Sequence, residues 1–287
     1  MRRALEDLRR VAIRNEWVAK DPLASVLGYA DPADQEIAGF FGALLAYGRV
    51  DLLRAHVDQV LRVLGEHPAR ALRRRIPPIR EDLVYRFHRT RDLRALMRGA
   101  RTVLRRHGSL GEAFSHHWKR TGDLRVALTL FVDEIRAGAG DDAGPGLRFL
   151  LADPALGGAC KRWNLYLRWM IRHEPGDPDP GPWRGLIPAR ALIIPLDTHV
   201  ARVGRRLGFT SRRTSNWRMA EDVTAALRRL APEDPVRYDF PLCHLGISGT
   251  CPPRLTPAHC ARCPLGSVCP TGKNVRARGL SPRLARP

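Results

Sequence analysis

Apolar residues recur along this chain at spacings of three and four, the period of a helix with one buried face. Ile37, Phe40, Phe41, Leu44 and Leu45 form one such stripe. Leu53, Val57, Val60, Leu61 and Leu64 form a second, closed by Gly65. A third runs through Leu93, Leu96, Met97, Ala100, Val103 and Leu104 and ends near Gly108. Leu124, Leu128, Phe131 and Ile135 make a fourth, ahead of the glycine-rich stretch 138–146. The segment Trp163 to Arg172 is apolar enough for a buried helix. Residues 174–185 (EPGDPDPGPWRG) are rich in Pro and Gly, which predicts a loop or linker. Residues 192–196 are apolar and stop at Asp197. Helices are expected at 198–207, at 217–230 before Pro232, and at 236–246. The segment 271–287 has five basic residues and no acidic ones and reads as a disordered tail. No alternating strand pattern and no repeat interrupts this, so the predicted fold class is all-α.

Charge narrows the picture. Lys and Arg total 49 against 29 Asp and Glu, a net charge of +20, and the pI is about 11.1. With 44% hydrophobic and 27% charged residues, the chain is globular, neither disordered nor collagenous. Its positive surplus suits a polyanion, and nucleic acid is the first candidate. Only four of the 49 basic residues are Lys: Lys20, Lys119, Lys161 and Lys273. Codon bias accounts for the choice of Arg but not for the surplus. No apolar run approaches the roughly 20 residues that span a bilayer. The start, MRRALEDLRR, lacks the apolar centre of a signal peptide. The expected location is cytoplasmic and nucleoid-associated, with no membrane partner.

Four of the six cysteines are crowded together near the C-terminus as Cys251-x8-Cys260-x2-Cys263-x5-Cys269. In a reducing compartment that crowding points to metal, not disulfides. Structural zinc usually pairs two tight C-x2-C knuckles. A single knuckle with wide flanks favours the larger [4Fe–4S] cluster, whose ligands must be splayed further apart. Zinc, as in an RNA-binding module, is the disfavoured alternative. Cys243 and Cys160 read as small packing residues.

Two positions carry candidate chemistry. Asp197 follows an apolar run and precedes Thr198-His199-Val200, the natural N-cap position of a helix. A carboxylate there is kept ionised by backbone N–H groups and the helix dipole. It is either a cap alone or a fixed carboxylate that stabilises a cationic transition state or handles a proton. Gly157 and Gly158 precede a helix, which allows a tight hairpin and close approach of a phosphate backbone, with Arg162 as a further phosphate contact. Lys161 opens that helix. Arg would serve equally for phosphate, but only Lys can deprotonate and act as a Schiff-base nucleophile. Trp163, Trp169, Trp183 and Trp217 read chiefly as core, with stacking on a base as the other use.

Taken together, the hairpin with Lys161, the run I-P-L-D-T-H-V-A-R-V at 194–203 and the terminal cysteines resemble the helix-hairpin-helix DNA glycosylase superfamily. That superfamily includes endonuclease III and the adenine glycosylase. The resemblance covers roughly residues 30–270. It is closest to a bacterial branch, on the segments CKRWNLYLRWM and IIPLDTHVARVGRRLGF. It implies a six-helix domain over 33–175 that contains the hairpin. It implies a cluster domain, built from 1–32 and 186–270, that carries the catalytic aspartate. Residues 271–287 would be the basic tail. Asp197 matches the catalytic aspartate, and Lys161 the lysine with which bifunctional members attack the sugar C1′. His199 matches a histidine near DNA phosphate. Cys251, Cys260, Cys263 and Cys269 match the ligands of a [4Fe–4S] cluster. Tyr47 or Arg49 stands where endonuclease III fills the vacated base site with a glutamine. The implied function is base excision with AP-lyase activity on double-stranded DNA, by a monomer, against a damaged and most readily an oxidised base. The alternatives are a monofunctional glycosylase using water and a non-catalytic structure-specific DNA-binding protein. The chain departs from the family in its first cysteine gap, eight residues where endonuclease III-like members have six. Its hairpin reads Gly-Gly-Ala-Cys, not Leu-Pro-Gly-Val-Gly. Lys161 and Asp197 stand 36 residues apart, so 174–185 reads as an insertion.

Overall fold

Helix starts in this chain follow its capping chemistry. Asp31, Ser109, Asp123, Asp197, Asn216 and Thr256 each sit in extended backbone, and each side chain accepts an N–H from the first turn of the helix it opens. Gly65, Gly108 and Gly122 close three helices at positive φ, where a side chain would be strained. The computed structural model describes residues 1–14, 17–141 and 143–280. These hold α1 (Arg2–Arg14), α2 (Trp17–Lys20), α3 (Leu23–Leu27), α4 (Pro32–Leu44), α5 (Val50–Leu64), α6 (Pro68–Arg74), α7 (Thr90–His107) and α8 (Leu110–Thr121). They continue with α9 (Leu124–Ala139), α10 (Pro145–Leu150), α11 (Lys161–Ile171), α12 (Thr198–Arg206), α13 (Trp217–Arg228), α14 (Asp239–Ile247), α15 (Pro257–Arg262) and α16 (Pro270–Leu280). Among the described residues there is no β-strand, so the all-α reading holds. Among the described residues no helix is long and apolar enough to cross a membrane.

The expected stripes are the buried faces of α4, α5, α7 and α9. α4 packs on α11, α3 and α6, while α9 is sandwiched by α7 and α8. Gly99 lets α7 approach α9 closely, since a Cβ there would strike the Ile135 carbonyl. α14 packs on α12 and α1, and α15 on α16. One continuous apolar core runs through both sets. At its centre Phe40 meets Trp163 and Tyr166, with Phe131 on the far side of Trp163. All four tryptophans offered for stacking are buried, at 0–2% exposure.

The structure corrects two expectations. Residues 174–185 form a loop as expected, but a docked one and not a free linker. Gly181 and Trp183 donate backbone N–H bonds to the carbonyls of Trp169 and Met170. Trp183 lies against Gly111, and its indole N–H donates to Glu36 Oε1 at 2.7 Å. Asp177 and Asp179 pair with Arg172, and Asp179 also with Arg168, all buried. Composition alone missed this because Pro and Gly set the local turns, while the acidic residues between them are tied to α11. The second correction is the tail. Residues 271–280 continue α16, which is tied back by Arg276 donating to the Gly266 carbonyl. The remainder of the expected tail, 281–287, lies outside the described residues.

Candidate active site

Lys161 is the first residue of α11. Cys160 before it takes a left-handed backbone, φ 46°, which turns the chain from the hairpin into the helix. A short 3-10 turn, Pro154–Leu156, leads into Gly157, itself left-handed at φ 79°. A side chain added at Gly157 or Gly158 would meet nothing within 4 Å, so the hairpin faces open space. Its base is stitched to α13 by the Trp217 N–H donating to the Gly157 carbonyl at 3.0 Å. Leu156 at the tip is 85% exposed.

Asp197 caps α12. Its Oδ1 accepts the N–H groups of His199 and Val200, both at 2.8 Å. Its Oδ2 accepts the Cys243 thiol at 3.2 Å. Cys243 is therefore more than filler. Burial, then the charges of Asp197 and Asp239, hold its thiol well above the usual range, so it stays a donor. The charge of Lys161 also acts on Cys243 and on Asp239. So α11, α12 and α14 bring Lys161, Asp197, Cys243 and Asp239 into one electrostatic neighbourhood. Sequence reasoning missed Asp239 and treated Cys243 as packing. The available signal was their i, i+4 spacing, which puts both on one face of the helix before the cysteines.

The other candidates divide. His199 is next to Asp197, and its Nδ1 lies 3.0 Å from an Arg202 guanidinium nitrogen. Arg162 is turned inward. It donates to the carbonyls of Leu44 and Phe149 and lies over the rings of Tyr47 and Phe149, at 5.3 and 4.2 Å. Arg49 stays on the surface, paired with Asp51 at 2.8 Å. The Tyr47 hydroxyl lies 2.6 Å from His88 Nδ1, and burial pushes it up to about 12. Beside it is a feature the sequence gave no reason to select. Tyr85 and His88 exchange backbone hydrogen bonds, closing a tight turn with Arg86 and Phe87 at its tip. Phe87 is 56% exposed and packs on Phe149 and Tyr47, with the Arg86 guanidinium 5.3 Å over its ring. Apolar ring and cation together form a surface suited to a nucleobase and its phosphate.

The four C-terminal cysteines lie where α12, α15 and α16 meet. Among the described residues no three His, Cys, Asp or Glu side chains close on a common point as a single ion requires. Each of Cys260 and Cys263 is nevertheless raised by burial and then feels the charge of the other cysteines. Arg206 donates to Cys251 Sγ at 3.0 Å and the Gly272 N–H to Cys269 Sγ at 3.3 Å. Four thiols with N–H donors on two of the sulfurs have the chemistry that iron or zinc takes, but among the described residues they are not gathered on one centre.

The model of a family described as protein of unknown function (DUF2400) matches residues 21–248, from just before α3 through α14. The match ends just before Cys251, so the cysteine loop lies outside it. No curated protein and no solved structure matches the chain.

Proposed function

We infer the activity of this chain, which belongs to the DUF2400 family, from its site: it is a DNA base-excision glycosylase with AP-lyase activity. The observation that carries the reading is that the charges of Lys161 and Asp197 act on the same two buried groups, Cys243 and Asp239. They stand 36 residues apart in sequence, and each stands at the start of a helix, Lys161 directly after the open hairpin. The net charge of +20 supports a polyanionic substrate.

In this reading the damaged nucleotide, an oxidised base in double-stranded DNA, is rotated out of the stack at a cost of a few kcal/mol. Phosphates dock at Gly157 and Gly158 and at His199. The Lys161 amine forms a bond to C1′ as the bond from C1′ to the base breaks, and the base leaves with the electron pair. Asp197, its Oδ1 fixed by two amides, stabilises the positive charge that builds on the sugar. Loss of a proton from the lysine nitrogen and opening of the sugar give the Schiff base, which permits elimination of the 3′ phosphate. Cys251, Cys260, Cys263 and Cys269 would hold a [4Fe–4S] cluster. Such a cluster, when bound, supplies structural cross-linking of the loop beside α12.

A lesion panel with borohydride trapping tests this. Wild-type protein is expected to be captured on an abasic or lesion duplex, Lys161→Ala to lose capture, and Asp197→Asn to bind without turnover. Base release without capture would replace Lys161 by water as nucleophile. Binding without any release would make the chain a structure-specific DNA-binding protein.

A further inference from the structure

Lys161, Arg168 and Arg172 are spaced i, i+7, i+11 and so share one face of α11. Both arginines are buried, at 3% and 4% exposure. The Arg168 guanidinium uses two edges of its fork. Its Nε and Nη2 donate to Asp179, and its Nη1 donates to Oδ2 of Asp239, the first residue of α14. Arg172 donates through Nε to both oxygens of Asp234, at 3.1 and 2.9 Å, just ahead of that helix. α11 therefore holds the entry to α14 at two buried points. One turn into α14, the Cys243 thiol donates to Asp197 Oδ2 at 3.2 Å. A continuous path of helix backbone and hydrogen bonds thus joins Lys161 to Asp197 through Arg168, Asp239 and Cys243.

Stability does not account for this path. A buried ion pair returns little more than its desolvation costs, and its best-attested use is to fix register. Asp239 shows the cost: it is 3% exposed, and its Oδ1 is fully buried with no hydrogen-bond partner. An apolar pair would fill the same space without that orphaned oxygen. It would not hold α14 against α11 to within the length of a hydrogen bond. We propose that Arg168 is a positioning residue for the Lys161–Asp197 chemistry: its bond to Asp239 fixes α14 against α11 and, through Cys243, fixes the Asp197 carboxylate relative to the helix that Lys161 opens. The inference rests on the lyase reading above and deepens it.

The test follows Lys161 capture on an abasic duplex in single turnover, with duplex affinity beside it, for wild type, Asp239→Ala and Asp239→Asn. If Arg168 positions the site, Asp239→Ala slows capture by about tenfold to a hundredfold, the scale of a small displacement of reacting groups, and leaves affinity unchanged. Asp239→Asn keeps an acceptor for Nη1 and stays within about threefold of wild type, since a neutral acceptor retains roughly half of the bond. Were the pair only structural, Asp239→Ala would unfold at a lower temperature but capture at the wild-type rate while folded. That result overturns the proposal, as does a loss confined to affinity. The Cys243 S–H stretching band in the infrared, assigned with Cys243→Ser, reads the far end of the path without any reaction. It is expected to move toward the position of a free thiol in Asp239→Ala, and an unmoved band overturns the proposal. Wild type with no capture fails the lyase reading itself, and the band then decides the positioning alone. Should Asp239→Ala not fold, Arg168→Lys takes its place with the same two readouts, because Lys keeps the charge but cannot serve both carboxylates as the guanidinium fork does.

Discussion

The Cys243 thiol donates to Asp197 Oδ2 at 3.2 Å, on the opposite side from the two amides that hold Oδ1. The carboxylate is thus held at both oxygens, by the start of its own helix and by α14. Removing the thiol leaves Oδ2 without its donor from α14. Cys243→Ala is expected to slow single-turnover base release by about tenfold, the worth of one hydrogen bond to a charged group. Cys243→Ser, which keeps a donor, should stay much nearer wild type. DNA affinity should not move in either variant. An alanine variant with wild-type release would remove Cys243 from the site.

A second pair of residues predicts acid sensitivity. His88 Nε2 and His56 Nε2 are 2.8 Å apart, and both rings are almost fully buried. Burial lowers each to about 4 from the ordinary 6.5. With the folded value depressed, the stabilising contribution of the neutral rings is complete above pH 6.5 and is lost as pH falls toward 4. The loss should amount to about 3 kcal/mol for one proton taken up by the pair. Denaturant midpoints measured across that window should fall more steeply for wild type than for His56→Gln. Equal slopes would mean that the pair is not the acid trigger.

Glu36 predicts a large structural effect. Its two oxygens accept the N–H groups of Leu110 and Gly111 at 3.1 and 2.8 Å, besides the Trp183 indole. It therefore joins α4, the start of α8 and the 174–185 segment at one buried point. Burial raises its carboxyl above the usual range, while the three donors oppose that shift. Glu36→Ala leaves all three donors unpaired and should cost at least about 3 kcal/mol. Trp183→Phe, which removes one donor and some packing, should cost roughly 1–2 kcal/mol. Thermal unfolding followed by circular dichroism measures both.

The tip of the Tyr85–His88 turn predicts a split between stacking and charge. Phe87→Ala should weaken binding to DNA carrying an abasic or mismatched site by about 1–3 kcal/mol and leave the salt slope alone. Arg86→Ala should instead lower that slope by about one phosphate contact. Fluorescence anisotropy over a salt series separates the two. If neither variant changes either quantity, this surface does not touch DNA.

What the sequence determined by itself is local. The stripe from Ile37 to Leu45 and those of α5, α7 and α9 were legible because helical period and burial share one geometry. The closures at Gly65 and Gly108 and the cap at Asp197 followed from backbone chemistry within a few residues. The scarcity of lysine singled out Lys161 without any fold. The tertiary structure decided what depends on distant chain segments meeting. It made residues 174–185 a docked segment, because Asp177, Asp179 and Trp183 find partners on α11 and α4. It turned Arg162 inward onto Tyr47 and Phe149, where sequence offered it to phosphate. It also brought the Cys243 thiol of α14 onto Asp197 Oδ2, a contact that the spacing within α14 does not encode. Helical period reports which face of a helix is buried, whereas the neighbours of a buried carboxylate are set by how α11, α12 and α14 pack.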